Sequence, residues 1–248
     1  MKLSGHTVLV TGGSAGVGLA LTQEFYKKDN RVIICGRSPE KLARAQEEMS
    51  EIETIQCDLA KDDDIKNLLN VISTKFPELS LLVNNAGVQL NYNFTEVEPE
   101  QAFRDIDWET QVNFNAMVKL TTLCLPLLRK HTESAIVNVS SGLALTPKSS
   151  APIYCATKAA VHIFSQSLRY QMEDDAPNVA VFEAILPMVD TDMTKGRGKG
   201  KISSKQVADE VLNALSKNNY EINVGKVKLL VWINRFAPWL AKRILRGS

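Results

Sequence analysis

Cysteine, histidine and net charge are all scarce in this chain. Four cysteines in 248 residues exclude a disulfide-stapled secreted scaffold. Cys35, Cys57, Cys124 and Cys155 form no C-x-x-C pair. We expect reduced thiols that pack as small apolar groups in a cytoplasmic protein. The three histidines, His6, His131 and His162, share no metal-ligand spacing with Cys, Asp or Glu, so no metal site is expected. No long apolar run follows the start Met1-Lys2-Leu3, which argues against a signal peptide. Nor does any stretch of about 18 uncharged apolar residues offer a spanning helix. What is there is ordinary for a globular domain, with 44% hydrophobic and 23% charged residues. That excludes a disordered chain, a collagen and a coiled coil. The net charge of +1 hides a split. Residues 195–248 hold 12 Lys/Arg against 3 Asp/Glu, a net of +9, which leaves −8 for the rest.

Short apolar runs alternate with helical spacings. The pattern predicts strands at Thr7–Val10, Arg31–Cys35, Glu53–Cys57, Leu79–Val83, Ala135–Val139 and Val179–Leu186. Between them it predicts helices over Ala15–Lys28, from the Ser38 cap and Pro39 to about Met49, over Asp62–Phe76, about Gln101–Lys130, and Ala151–Met172. A last regular helix covers Ser204–Ser216. Strands that are apolar on both faces, joined by helices, imply a parallel sheet with helices on both sides. Right-handed crossovers then give one doubly wound α/β domain. We place it at residues 1–224, including a mobile Gly/Lys-rich loop at about 192–203, followed by a basic amphipathic tail at 225–248.

Three patterns carry chemistry. Thr11-Gly12-Gly13-Ser14-Ala15-Gly16-Val17-Gly18 stands between a strand and a helix. Its glycines allow a tight turn and a close backbone approach to a pyrophosphate, which the helix N-terminus would face. At the end of the second strand, Cys35-Gly36-Arg37 has no carboxylate to bond a ribose 2′-hydroxyl. Arg37 can instead hold a 2′-phosphate, so NADP(H) is preferred, with NAD(H) as the alternative; the other reading is a solvated surface arginine. Asp58 either bonds the adenine or is a turn aspartate. Finally, Tyr154 and Lys158 lie four apart on one helical face. An ammonium there would lower the phenol pKa and let Tyr154 exchange a proton with a substrate oxygen. Ser140-Ser141, ending the preceding strand, offers a hydroxyl to orient that oxygen.

Together these features resemble the classical short-chain dehydrogenase/reductase family over about residues 5–194. The resemblance rests on the loop glycines Gly12, Gly16 and Gly18, on Asn84-Asn85-Ala86-Gly87 after the fourth strand, on Ser141, and on Tyr154-x-x-x-Lys158. The stretches Ser141-Gly142-Leu143-Ala144, Tyr154–Lys158 and Pro187-Met188-Val189-Asp190-Thr191 are similar to the DltE-type oxidoreductases. The family's spacing from serine to tyrosine selects Ser141 over Ser140. Its V-N-x-x-[GA] context selects Asn113 over Asn115.

The resemblance implies a Rossmann-type fold and hydride transfer between NADP(H) and a carbonyl or secondary alcohol. Tyr154 would be the general acid and base. Lys158 would lower its pKa and bond the nicotinamide ribose, Ser141 would hold the substrate oxygen, and Asn113 would fix a relay water. Gly12, Ser14, Gly16, Val17 and Gly18 would surround the phosphates and Arg37 the 2′-phosphate. Asp58, Leu59, Asn85, Ala86 and Gly87 would border the adenosine half, with Pro187, Val189 and Thr191 at the nicotinamide. The family's Pro-Gly before this last segment is here Leu186-Pro187, which puts the backbone contact at Pro187 in question.

The small-molecule substrate pocket is expected near Gln89–Phe94, Leu143–Ile153 and Met188–Lys201. The Gly/Lys-rich loop is either a lid or a surface turn. By analogy the helices near 101–130 and 151–172 pair in a homodimer or homotetramer. Between Val224 and Ser248 there are six basic residues and no acidic one, with Leu229, Trp232, Ile233, Phe236 and Leu240 on a helical stripe and Pro238 starting a second helix. This tail either covers a groove on protein or makes a peripheral membrane contact. No base-reading motif accompanies it, so nucleic acid is not an expected partner. The rival function is a catalytically silent NADP-binding sensor or scaffold, which has no need for the full set Asn113, Ser141, Tyr154 and Lys158.

Overall fold

A computed structural model of the chain describes every residue except Lys199 and Ser248. One position of the Gly/Lys-rich loop and one of the tail therefore lie outside the described residues. The six expected strands form as β1 (Thr7–Thr11), β2 (Arg31–Gly36), β3 (Glu53–Gln56), β4 (Leu79–Asn84), β5 (Ser134–Ser141) and β6 (Val179–Leu186). A further strand, which the sequence pattern did not predict, is β9 (Glu221–Asn223). It is only three residues long and carries a single buried apolar side chain, Ile222, so it shows no periodicity. These seven strands make one parallel sheet in the order β3-β2-β1-β4-β5-β6-β9. A separate pair, β7 (Val189–Asp190) and β8 (Ile202–Ser203), ties the two ends of the loop between them.

Strand register explains the layers. Val8, Leu9 and Val10 are all fully buried, because the pleat sends alternate side chains to opposite faces. Val8 and Val10 join one core under α1 (Gly16–Tyr26), α2 (Pro39–Glu48) and α7 (Ser204–Ser216). Leu9 joins the other, under α3 (Asp62–Lys75), α5 (Ala116–Leu128) and α6 (Pro152–Asp175). This is the doubly wound domain the alternation predicted. Ser38 caps α2 by accepting from the Lys41 backbone at 3.2 Å, with Pro39 in the first turn.

The long helix expected over 101–130 is corrected. It is α4 (Pro99–Thr110), a π-helical turn at Gln111–Asn115, and α5. The inserted turn places Asn113 inside a widened helix, and such bulges gather at functional sites. Helix α6 runs to Asp175, beyond the expected Met172. The tail folds as α8 (Val227–Phe236) and α9 (Pro238–Leu245), with Pro238 opening the second helix as expected. Among the described residues, no helix is long and apolar enough to cross a membrane.

Candidate active site

The strand order reverses between β1 and β4, and a crevice opens at such a point beyond the carboxyl ends of the strands. Thr11, the last residue of β1, locks the two loops there together. Its hydroxyl donates to Val83 O at 3.3 Å and accepts from the backbone of Asn85 and Ala86, both at 3.0 Å. The Asn85 amide donates back to Thr11 O at 2.9 Å. Gly12 and Gly16 adopt φ of +65° and +52°, where a side chain would be strained. At Gly18 a Cβ would stand 2.1 Å from Gly12 O, and at Gly16 one would stand 3.0 Å from Thr191 Cγ2. Thr191 thus lies against the glycine loop, while the Ser14 hydroxyl approaches Gly36. Val17 packs partly into the core. Helix α1 has no side-chain cap at Ala15 and no acid in its first turn. Its opening N–H groups and positive dipole end therefore suit an anion. A glycine cradle that any Cβ would fill, beneath an uncapped helix start, fits the pyrophosphate of a dinucleotide.

Arg37 is exposed just beyond β2, with its guanidinium 5.5 Å from the Trp108 ring centroid. Asp58 is a turn aspartate: its carboxylate accepts from the Ala60 backbone at 3.1 Å, and its own N–H donates to Asp64 at 2.8 Å. Leu59 is buried beside it.

The four expected catalytic residues converge at this end of the sheet. Ser141 ends β5, and its hydroxyl accepts from Leu143 N at 3.2 Å. The Ser141 hydroxyl lies near the Tyr154 phenol and acts to lower its pKa. One turn along α6, Lys158 is 4% exposed. Its Nζ lies 5.8 Å from the Tyr154 ring centroid and donates to Val139 O at 2.9 Å. Asn113 Oδ1 accepts from Val88 N at 2.7 Å, and its Nδ2 donates to Val88 O at 2.9 Å and Thr157 Oγ1 at 3.2 Å. Gly87 is pressed against both Asn113 and Lys158: a Cβ there would sit 3.3 Å from Asn113 Oδ1 and 3.5 Å from Lys158 Nζ. Val189 is buried in β7. Pro187 packs toward Gly225 at the start of the tail, a contact that the smaller glycine of the family could not make.

The electrostatics correct one expectation. The net shift of the Tyr154 phenol is upward. Burial pushes it up to about 12, opposed in part by the Ser141 hydroxyl. Burial likewise pushes Lys158 down to about 8, with Glu183 and Glu109 acting to hold its proton. Desolvation is the largest cause of both shifts.

Sequence reasoning missed two buried acids around this set. Glu183, fully buried in β6, accepts from Ser140 Oγ and bonds His162 Nδ1 at 2.8 Å. His162 is one turn beyond Lys158, and Glu183 raises its pKa. Glu109, also fully buried, accepts from Leu90 N at 3.2 Å through Oε1, while Oε2 has no partner. Burial pushes Glu109 up to about 7. Its position one turn before Asn113 was a usable signal; that of Glu183, inside an apolar strand, was a weaker one.

The tail packs on the Gly142–Ser149 segment. The Thr146 hydroxyl donates to Asn234 Oδ1 at 3.1 Å, and the Ser149 backbone and hydroxyl donate to Arg246 O at 3.0 and 2.8 Å. Leu230 packs against Gly142. One face of the tail therefore covers protein, as one of the two readings expected. Lys201 reaches back to Thr194 O at 2.6 Å, and the β7–β8 pair closes the Gly/Lys-rich loop at its base.

A dinucleotide cradle and a Ser-Tyr-Lys group at the end of one parallel sheet define an oxidoreductase of the Rossmann type. The chain belongs to the short-chain dehydrogenase family, whose model, described as short chain dehydrogenase, matches residues 6–201. It is 43% identical over 234 residues to the uncharacterized oxidoreductase DltE of Bacillus subtilis (strain 168), covering 92% of this chain and 91% of that protein. A short chain dehydrogenase from Burkholderia cenocepacia J2315, solved in complex with NADP, superposes with a TM-score of 0.86 over 100% of both chains at 22% identity. A short chain dehydrogenase/reductase from Burkholderia phymatum, solved with NAD, has a TM-score of 0.86 over 100% of this chain and 98% of that one, at 18% identity. These two structures share the fold.

Proposed function

We propose that the protein is an NADP(H)-dependent oxidoreductase acting on a carbonyl or secondary alcohol, with Tyr154 as general acid and base. The observation that carries this reading is the Tyr154 ring standing 5.8 Å from the Nζ of a buried Lys158, with Ser141 near the phenol, at the same sheet end as the glycine cradle. When bound, the nicotinamide supplies or accepts the hydride. Ser141 holds the substrate oxygen and shares the charge that develops on it. Tyr154, kept protonated by burial, donates its phenolic proton to that oxygen in reduction and recovers it in oxidation. Lys158 stabilises the phenolate left behind. Asn113 clamps the Val88 backbone within the π turn, beside Gly87 and Lys158.

On this reading Tyr154→Phe lowers turnover of a responsive carbonyl by roughly 10²–10⁴-fold with an unchanged melting temperature. Turnover equal to wild type would defeat the mechanism, whereas no turnover of any carbonyl by the wild type would favour the silent sensor. Arg37, exposed beyond β2 with no carboxylate beside it, supports NADP(H), as does the NADP held by the Burkholderia cenocepacia enzyme. Titration should give NADPH at least ~10-fold tighter binding than NADH, and Arg37→Ala should remove the difference. Equal affinities in the wild type would end the argument from Arg37.

A further inference from the structure

We propose that the outer face of α8 and α9 docks the protein on an anionic phospholipid surface. Leu229, Trp232, Phe236, Trp239 and Ile244 are 63%, 64%, 69%, 66% and 53% exposed, although the opposite face of the same helices is fixed to the Gly142–Ser149 segment. Trp232 and Phe236 stack at 5.5 Å and present one aromatic wedge. Solvent-facing aromatic clusters of this size mark an interaction site.

Charge selects the occupant. The wedge is flanked by Arg235, Lys242, Arg243 and Arg246, and no acidic residue lies between Val224 and Ser248. Two further cations have protein partners: Lys228 pairs with Glu210 of α7 at 3.1 Å, and Lys226 donates to Gly200 O at 3.2 Å. A second copy on a two-fold axis would bring the same cations face to face with no carboxylate from α8 or α9 to meet them. An anionic lipid layer offers both phosphate charge for the rim and an apolar boundary for tryptophan. The +6 of residues 225–248, against −5 for residues 1–224, turns this face toward such a layer. Docking there sets the Gly142–Ser149 segment of the expected pocket beside the lipid.

Co-sedimentation of the full chain tests this, using vesicles of phosphatidylcholine alone or mixed with about one-third phosphatidylserine. The expected result is at least ~10-fold tighter binding to the mixed vesicles, weakened by high salt, with a blue shift of tryptophan emission. Two variants keep the fold because their side chains are exposed: Trp232→Ala/Phe236→Ala/Trp239→Ala and Arg235→Gln/Lys242→Gln/Arg243→Gln. Each should lose at least ~10-fold in vesicle affinity at an unchanged melting temperature. No binding by the wild type, or variants that bind as well as it does, would overturn the proposal. So would a fall in oligomer mass of the aromatic variant without lipid, which would assign the face to a second copy.

Discussion

Burial moves Tyr154 and Lys158 away from their ordinary pKa values in opposite directions, and each shift favours the uncharged form. Glu109 obeys the same rule, and its unpartnered Oε2 makes the cost testable. Its carboxyl titrates at about 7 in the folded chain against an ordinary value of 4.5. From pH 4.5 to 7 the folded state keeps a proton that the unfolded state has lost. Stability therefore falls as pH rises through that window, then levels off. Glu109→Gln should flatten the decline, gaining on the order of 2 kcal/mol on wild type between pH 4.5 and 8 after allowance for solvent screening. Denaturant melts at the two pH values read this directly, and parallel curves would show that another group titrates. Lys158 has the opposite sign: its depressed value makes stability rise with pH between about 8 and 10.5. Below about 8 the lysine is charged, so carbonyl reduction should decline as pH rises through that value, measured as initial rate with saturating NADPH.

At the scale of elements, the loop from Thr11 to Gly18 shows how far local sequence reaches. A strand, a glycine turn and an uncapped helix start can all be read from eight adjacent residues, because turn chemistry is settled within a few bonds. The reason Gly18 tolerates no side chain comes from the fold of that loop, which sets Gly12 O 2.1 Å from the position of a Cβ. Gly18→Ala should lose about 1–3 kcal/mol of stability and most NADPH affinity, read by melting and cofactor titration. A variant that melts and binds like wild type would contradict the packing. Elsewhere the local signal ran out. The helix predicted over 101–130 ignored the π turn at Gln111–Asn115, since 3.6-residue periodicity continues on both sides of one extra residue. Strand β9 escaped because three residues beside an existing sheet need only one apolar side chain.

On the scale of the whole molecule, the tail is one exposed apolar region among the described residues. Another lies on α4 and α6, where Phe103, Ile163 and Tyr170 are 65%, 61% and 63% exposed. Ile163 and Tyr170 are seven apart, on one side of α6, and carry no concentration of like charge comparable to the tail's. This is the face we expect a second copy to cover. Ile163→Glu should shift the mass found by analytical ultracentrifugation toward monomer, and an unshifted mass would place the interface elsewhere. The sequence by itself determined the alternating elements, the glycine loop, the Ser141, Tyr154 and Lys158 spacing and the apolar stripe of the tail, because each depends on neighbours a few positions away. Only the tertiary structure decided that the phenol and the amine are both desolvated, that Glu109 and Glu183 stand beneath them, and which side of the tail meets protein. Desolvation and docking depend on atoms supplied by distant segments, and no local pattern records them.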